Sequence, residues 1–233
     1  ASDAPAPIVE TRVNLRKLYR QSPVGAAGIL AVGLANGSFW ALGPIYAAGR
    51  ADAASAAASV AIFMSVVVVG GAAGQAPLGL LSDRIDRRQV LIIATLGSIG
   101  AALFMLFGAP LITNGVFIAG FLYGFFGFPI NGLATAHLND HAEPSGFVET
   151  ASGVLLLYGI GAVVGPIAAS VLINASSLDA LFAWTLGVHL VLLAFTMFRM
   201  TRRAPVADEE QTQFAKALIV TQTASPIPVA AKP

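Results

Sequence analysis

The 233-residue sequence contains no cysteine and very little charge. Without cysteine the chain cannot form disulfides, Fe–S clusters or thiolate centres. Only 11% of its residues are Asp, Glu, Lys or Arg, and the formal net charge is +1, so bulk electrostatics give no indication of nucleic-acid binding. Hydrophobic residues make up 56% of the chain, which is more than an ordinary soluble domain carries. The composition predicts a protein that lies in a lipid bilayer and has no nucleic-acid partner.

Charge-free stretches of the chain are long enough to cross a membrane, for which about 20 residues are needed. The longest, 89–139, is interrupted by Gly108, Ala109 and Pro110, and proline favours the start of a new helix. A β-barrel would require alternating apolar and polar residues, which stretches such as VLIIATLGSIGAALFMLF lack. The predicted fold is therefore an all-α membrane protein. Its six transmembrane helices are expected at about 23–48, 55–81, 89–108, 110–137, 147–173 and 179–200.

The basic residues predict the orientation. Lys and Arg cluster in 12–20, 84–88 and 199–203, whereas Arg50 is the lone basic residue in the loops expected on the other side. The positive-inside rule then predicts a multi-pass protein of the inner cell membrane with both termini in the cytoplasm.

The chain divides into three expected parts. Residues 1–22 form a polar, basic cytoplasmic segment, 23–200 the six-helix transmembrane domain, and 201–233 a solvated, weakly ordered cytoplasmic tail. The chain begins without Met or a signal peptide, so its first segment is more typical of a linker that follows something else.

The densest group of charges is GLLSDRIDRR, residues 79–88, in the second expected connection. This stretch resembles the signature loop of the major facilitator superfamily, with Asp86 where that pattern usually has glycine. In the family the loop lies between helices two and three and again between helices eight and nine. The basic segment before the first helix favours the second location. The residues that carry the resemblance, and for which it implies a gating role, are Gly79, Asp83, Arg84, Arg87 and Arg88.

A second resemblance lies in GIGAVVGPIAAS, residues 159–170 of the expected fifth helix. Gly161, Gly165 and Pro166 are similar to the glycine-proline motif of proton-linked antiporters in the same family. Glycines at i and i+4 let another helix backbone approach closely, and proline removes a hydrogen bond and can bend the helix. With the charged loop, this motif resembles the carboxyl-terminal six-helix half of a bacterial drug-exporter-like or uncharacterised transporter.

The resemblance implies a permease that moves a small organic solute by alternating access, coupled to an ion. It also implies a partner, an amino-terminal six-helix half in the same or another chain. A non-transporting scaffold or sensor built on such a half remains an alternative. The sequence lacks Gly-x-Ser-x-Gly and His-Glu-x-x-His, so no enzyme activity is predicted. Because His137, His141 and His189 are scattered, neither a metal nor a cofactor is expected, and His189 is expected to be a packed core group.

Each candidate site residue has a structural alternative. The charges of the gating loop could instead only fix topology, although Asp83, an acid, contributes nothing to that rule. Asp83 is expected to pair with Arg87 and to contact the amino end of the fifth helix, near residues 145–149. Glu149 is a candidate proton site, but a carboxylate in a first helical turn that interacts with the helix dipole is the favoured interpretation.

The helices corresponding to those that line the cavity in the family contain a few polar and aromatic side chains. These would suit an amphipathic or weakly polar organic solute. Packing and interfacial anchoring would account for the same residues. The candidates are Asn36, Trp40, Tyr123 and Asn131.

Overall fold

The computed structural model describes residues 14–142 and 146–202, and these residues form helices without any β-strand among them. Six helical spans are long and apolar enough to cross a membrane. The predicted fold class, an all-α membrane domain of six transmembrane helices, is therefore confirmed. In chain order the helices are α1 (Leu15–Gln21), α2 (Pro23–Ala48), α3 (Ala56–Ser82), α4 (Arg87–Leu103), α5 (Gly115–Gly127), α6 (Pro129–Asn139), α7 (Phe147–Ala175) and α8 (Ala180–Met200).

The six spans are α2, α3, α4 with its extension to Leu111, α5 joined to α6, α7 and α8. Because consecutive spans run in opposite directions, α1, the α3–α4 turn and the last turn of α8 lie at the same end of the bundle. We call this the basic end. The α2–α3, α4–α5 and α7–α8 connections lie at the opposite end.

Side-chain caps fix where several helices begin at the basic end. Asn14 accepts a hydrogen bond from the backbone of Lys17 at the start of α1, and Ser22 accepts one from Gly25 at the start of α2. Asp86 caps α4 by accepting a hydrogen bond from the backbone N–H of Arg88. These caps satisfy N–H groups that would otherwise lack partners in the first helical turn.

The break in the long apolar run differs from the expectation that a new helix starts at Pro110. The helix α4 instead continues through a π-helical segment, Phe104–Gly108, and a 3₁₀ turn, Ala109–Leu111. Proline lacks a backbone N–H and fits at the first positions of such a turn, so Pro110 ends this span rather than opening the next. The reversal occurs at Asn114, whose φ of 60° is left-handed, a conformation that asparagine tolerates better than most residues.

Close backbone contact joins α7 to α2. A Cβ added at Gly161 would lie 2.7 Å from the carbonyl oxygen of Leu30, and one added at Gly37 would lie 2.5 Å from Cα of Ala162. Real Cβ atoms essentially never show contacts this short, so these positions hold the helices at backbone distance. Glycines also let α3 approach α5, where a Cβ at Gly74 would overlap the backbone of Phe125.

Burial is unequal among the spans. Of the most apolar window of α2, 67% is buried, compared with 22% for α3 and 17% for α7. The helix α2 therefore lies at the centre of the bundle, while α3 and α7 expose most of their surfaces. At the opposite end, an ion pair between Arg50 and Asp179 joins the end of α2 to the start of α8.

Candidate functional site

A cluster of ion pairs at the basic end is built around Arg87, the first residue of α4. Its side chain is 2% exposed, and its Nε lies 2.8 Å from Oδ2 of Asp140, whose side chain is 1% exposed. Its Nη2 also lies 3.4 Å from Oδ1 of Asp83, which is 28% exposed. Arg87 therefore links the end of α3 to the residue that follows α6. We call Asp83, Arg87 and Asp140 the Arg87 triad.

Burial makes the triad demanding to form. Moving a charged group out of water costs on the order of several kcal/mol. An opposite charge offsets this cost only when the two groups are close and well oriented. In the triad two carboxylates lie close to one guanidinium, a planar group that can donate several hydrogen bonds. The buried carboxylate of Asp140 is expected to provide most of the compensation, because the contact of Asp83 with Arg87 is longer and partly exposed.

The neighbouring Arg88 pairs with Asp86 within the same turn. The Nη2 of Arg88 lies 2.8 Å from Oδ2 of Asp86, and its Nε lies 3.1 Å from each carboxylate oxygen. Burial raises the pKa of Asp86, but hydrogen bonds from the side chain and backbone of Arg88 lower it more, so the pKa lies below the usual value for aspartate. Asp86, which stands where the loop pattern has glycine, therefore rigidifies the turn as both helix cap and ion-pair partner.

The predicted gating residues do not all join this cluster. Asp83 pairs with Arg87 as expected from their i,i+4 spacing, whereas Arg84 is exposed in the turn. Gly79 is buried, and its carbonyl accepts a hydrogen bond from Ser82 at 2.8 Å. The fifth span, α7, begins at Phe147. The expected contact of Asp83 with its amino end, near residues 145–149, stays a prediction, and residue 145 of that stretch lies outside the described residues.

Asp140 is the member of the triad that sequence reasoning missed. It lies in HLNDHAEPSG, a connection notable in the sequence for its lack of Lys and Arg. A signal was nevertheless present, because Asp140 follows directly on a long charge-free run. A carboxylate at such a boundary is a candidate partner for basic residues at the same end of the bundle.

Glu149, the candidate proton site, lies in the first turn of α7. Its Oε2 is 2.5 Å from Nζ of Lys17 in α1, and its side chain is 22% exposed. Beside this pair, the Gln21 side-chain amide donates to the carbonyl oxygen of Leu138 at 2.9 Å and to the hydroxyl of Thr150 at 3.3 Å. The helix α1 is therefore tied to the basic ends of α6 and α7. Glu149 has the position of a first-turn carboxylate, favourable to the helix dipole.

Three side-chain amides within the spans, Asn36, Gln75 and Asn131, define a second candidate site. The oxygens Oδ1 of Asn36, Oε1 of Gln75 and Oδ1 of Asn131 are buried and have no hydrogen-bond partner among the described residues. A buried polar atom without a partner is costly, and it is more so in a membrane, where water is scarce. We call these three residues the amide layer. Gln75 was not predicted, although it is a lone amide in the apolar run GGAAGQAPLGL.

Neighbouring contacts place the amide layer at one depth. The rings of Trp40 in α2 and Phe128 at the α5–α6 junction have centroids 5.4 Å apart, and a Cβ on Gly71 of α3 would lie 2.5 Å from the same Phe128 ring. Each amide lies about one helical turn from one of these contact residues and nearer the basic end. The pairs are Asn36 with Trp40, Gln75 with Gly71, and Asn131 with Phe128. The amides therefore lie at about the same level, about one helical turn from the level of Trp40, whose side chain is 45% exposed.

Tyr123, the remaining cavity candidate, lies in the bundle core, and its place in a solute cavity stays a prediction. Its side chain is fully buried, with ring centroids 5.4 Å from Phe39, 5.7 Å from Phe182 and 6.3 Å from His189. The spacing of aromatic residues along a helix could not reveal that this ring points into the bundle core. His189 lies in the same core, with Nδ1 2.7 Å from the carbonyl oxygen of Thr185.

The predicted packing motif lies where α7 crosses α2. Gly161 and Gly165 face the backbone of residues 30–34, and Pro166 lies within the helix. The carbonyl of Pro166 accepts a hydrogen bond from Ser170 at 2.6 Å. Within residues 14–142 and 146–202, no group of three or more His, Asp or Glu side chains is arranged to hold a metal ion.

Comparison with known proteins identifies related sequences. A family model described as Major Facilitator Superfamily matches residues 4–230. The chain is 31% identical over 202 residues to an uncharacterised MFS-type transporter of Yersinia pestis (strain Pestoides F), and the match covers 84% of this chain and 47% of that protein. It is 30% identical over 174 residues to the uncharacterised MFS-type transporter YcaD of Salmonella paratyphi B, covering 75% of this chain and 44% of the relative. The chain thus spans less than half the length of these relatives.

Proposed function

This chain belongs to the major facilitator superfamily, and on that premise we propose that it forms one half of a transporter that moves a small organic solute by alternating access. The amide layer is the observation that carries this proposal. Three unpartnered amide oxygens at one depth are difficult to explain in a bundle that only needs to be stable, because an apolar side chain would avoid their desolvation cost.

The amide layer suits a solute with hydrogen-bond donors and an apolar body. Its oxygens accept hydrogen bonds, and the half-exposed Trp40 offers an aromatic surface about one helical turn away. No carboxylate, lysine or arginine of the described spans is found at this level, so the solute is expected to be neutral or weakly charged. This supports an amphipathic organic molecule rather than a phosphate or a sugar acid.

A second six-helix half, in the same or another chain, completes the proposed transporter. In transporters built from repeats, the solute site lies near the midplane between the two repeats, which rock about it. The large exposed surfaces of α3 and α7 support contact with such a half. The chain's match to less than half of its relatives is consistent with this arrangement.

The proposed orientation places the basic end in the cytoplasm of the inner membrane, with both termini on that side. Support comes from the basic residues of α1, the α3–α4 turn and the end of α8, which all lie at this end. Gating is assigned to the Arg87 triad, because it couples the α3–α4 turn to the end of α6. Transport is further proposed to be coupled to an ion gradient, on the resemblance of residues 159–170 to antiporters.

The first experiment tests solute binding at the amide layer. The chain contains two tryptophans, so Trp184→Phe leaves Trp40 as the reporter of its own surroundings. A set of neutral and monocationic amphipathic aromatic compounds is titrated into the purified chain, with phosphorylated sugars as the contrasting set. Saturable quenching of Trp40 by members of the first set, weakened at least fivefold by Asn131→Leu, is the expected result. Quenching by neither set, or quenching indifferent to Asn131→Leu, would contradict the proposed site.

A further inference from the structure

An apolar groove on the bundle surface lies between α2, α7 and α8, away from the amide layer and the Arg87 triad. Its cavity volume is about 500 Å³. Ala27 and Leu34 of α2 line it together with Leu172 of α7 and Trp184, Val191 and Phe195 of α8. We call it the α8 groove. Its lining contains no charged side chain, and its one polar group, the indole N–H of Trp184, donates to the carbonyl oxygen of Leu34 at 3.1 Å.

The shape of the groove matches a single hydrocarbon chain. From Trp184 to Phe195 it follows α8 for about 16 Å at about 1.5 Å per residue. This is close to half of the roughly 30 Å hydrocarbon core of a bilayer, the thickness of one leaflet. Val191 is 71% exposed along it, so the groove opens sideways from the bundle. An open apolar channel of this kind in a bilayer is filled by an acyl chain, since a void there would lose dispersion contacts.

A positive charge stands at the basic end of the groove. Arg199 lies in the last turn of α8, one helical turn beyond Phe195 and therefore on the same helix face. No carboxylate pairs with it in the part of the chain that the structure describes. Basic side chains beside grooves between transmembrane helices are suited to the phosphate of a lipid headgroup.

From the groove and its charge we propose that the α8 groove is a binding site for an anionic phospholipid. One acyl chain lies in the groove between α2 and α8, and the headgroup phosphate pairs with Arg199. The apolar lining favours any acyl chain, whereas the arginine provides the preference for negative charge. None of its lining residues belongs to the amide layer or the triad, so groove substitutions leave the residues of both in place.

The groove contains its own reporter, since Trp184 is one of its lining residues. In the Trp40→Phe chain, Trp184 is the remaining tryptophan, and its fluorescence is quenched when a brominated acyl chain lies beside it. The chain is reconstituted in phosphatidylcholine vesicles that contain a fixed fraction of brominated phosphatidylglycerol or of brominated phosphatidylcholine. At least twofold stronger quenching by the anionic lipid is expected.

Three substitutions distinguish binding of the acyl chain from binding of the headgroup. Gly187 lines the groove, and a Cβ added there would meet nothing within 4 Å, so Gly187→Leu fills the groove without a clash. It is expected to reduce quenching by both lipids by at least half, as is Ala183→Leu at a second lining position. Arg199→Gln is expected to bring the ratio of quenching by the two lipids close to one, while quenching by brominated phosphatidylcholine persists.

Matched controls lie elsewhere on the bundle. Gly100 of α4 is exposed and equally open, so Gly100→Leu should leave the quenching unchanged, and so should Arg84→Gln in the exposed α3–α4 turn. Equal quenching by the two lipids in the parent, or full quenching in both groove-filling variants, would overturn the proposal. It would also be overturned if neither lipid quenched Trp184 while its emission changed with protein density in the membrane, because a second copy of the chain would then cover the groove.

Discussion

Arg87 and Asp140 form an ion pair of 2.8 Å although 52 intervening residues, which include two spans and the connection between them, separate them along the chain. Both side chains are almost completely buried at the basic end of the bundle. Asp83 adds a longer contact to the same guanidinium from the solvent side. The two carboxylates therefore differ in environment, and their removal is expected to have different consequences.

Asp140→Asn should strongly destabilise the chain. Breaking a buried ion pair by removing one partner costs about 3 kcal/mol or more, because the remaining charge stays buried. Thermal unfolding in detergent is expected to shift to clearly lower temperature. Asp52→Asn provides the control, since Asp52 is exposed and its carboxylate accepts hydrogen bonds from Ser55 in its own loop. Equal melting temperatures for the two variants would contradict the role given to Asp140.

Asp83→Asn should affect opening rather than stability. Its contact with Arg87 is long and partly exposed, so its contribution is expected to be below about 1 kcal/mol. That is still enough to shift a two-state equilibrium severalfold. In the assembled transporter, a cysteine at Ser152 of α7 should become more accessible from the basic end. If accessibility and transport both stay at parental levels, the loop only directs topology.

Cysteine labelling tests the orientation without background, because the chain has no native cysteine. Ala53 and Ser177 are exposed at the opposite end, and Arg84 is exposed at the basic end. Ser82 is unsuitable as the basic-end position because it is fully buried. Cysteines at Ala53 and Ser177 should react with an impermeant reagent in intact cells, and one at Arg84 should react only after permeabilisation. The reverse pattern would refute the proposed orientation.

Replacement of an amide-layer residue should change stability and transport in opposite directions. Asn36→Leu removes an unpartnered buried oxygen, so the free energy of unfolding is expected to rise by about 1 kcal/mol. Solute flux through the assembled transporter should fall at least tenfold. Thr95→Val is the matched control, because the Thr95 hydroxyl already donates to the carbonyl of Leu91 and its loss should leave flux unchanged. A loss of stability in Asn36→Leu without loss of flux would show that the amide is structural.

The α2–α7 contact can be tested at two glycines of one helix. Gly161→Leu forces a side chain into the backbone of α2 and should cost about 2 kcal/mol or more. Gly159→Leu introduces the same side chain where a Cβ meets nothing within 4 Å, and its melting temperature should stay near that of the parent. Similar destabilisation by both would mean that helix propensity, not close packing, sets the effect.

The sequence predicted the six spans because a long charge-free run is a local signal, independent of what packs around it. It did not predict the π-helical and 3₁₀ end of α4, since Pro110 is compatible with both the start of one helix and the last turn of another.

Side-chain environments were harder to predict than spans. Asp83 and Arg87 are one helical turn apart, so their pairing followed from spacing. Asp140 reaches Arg87 only through the packing of the bundle, and Tyr123 turns inward for the same reason. Gln75 was overlooked because one amide in an apolar run becomes significant only when the other two lie at its depth.

The ion pair at the opposite end, between Arg50 and Asp179, has side chains 30% and 43% exposed, unlike the buried pair at the basic end. Dissolved ions screen exposed charges over about 8 Å at physiological ionic strength but reach buried ones poorly. The two ion pairs should therefore respond differently to salt. Raising the ionic strength is expected to weaken the Arg50–Asp179 pair between α2 and α8 and to leave the Arg87–Asp140 pair in place. Salt on the side of the opposite end is therefore expected to loosen the contact between α2 and α8, whereas salt at the basic end is expected to reach the exposed Lys17–Glu149 pair before the buried Arg87–Asp140 pair.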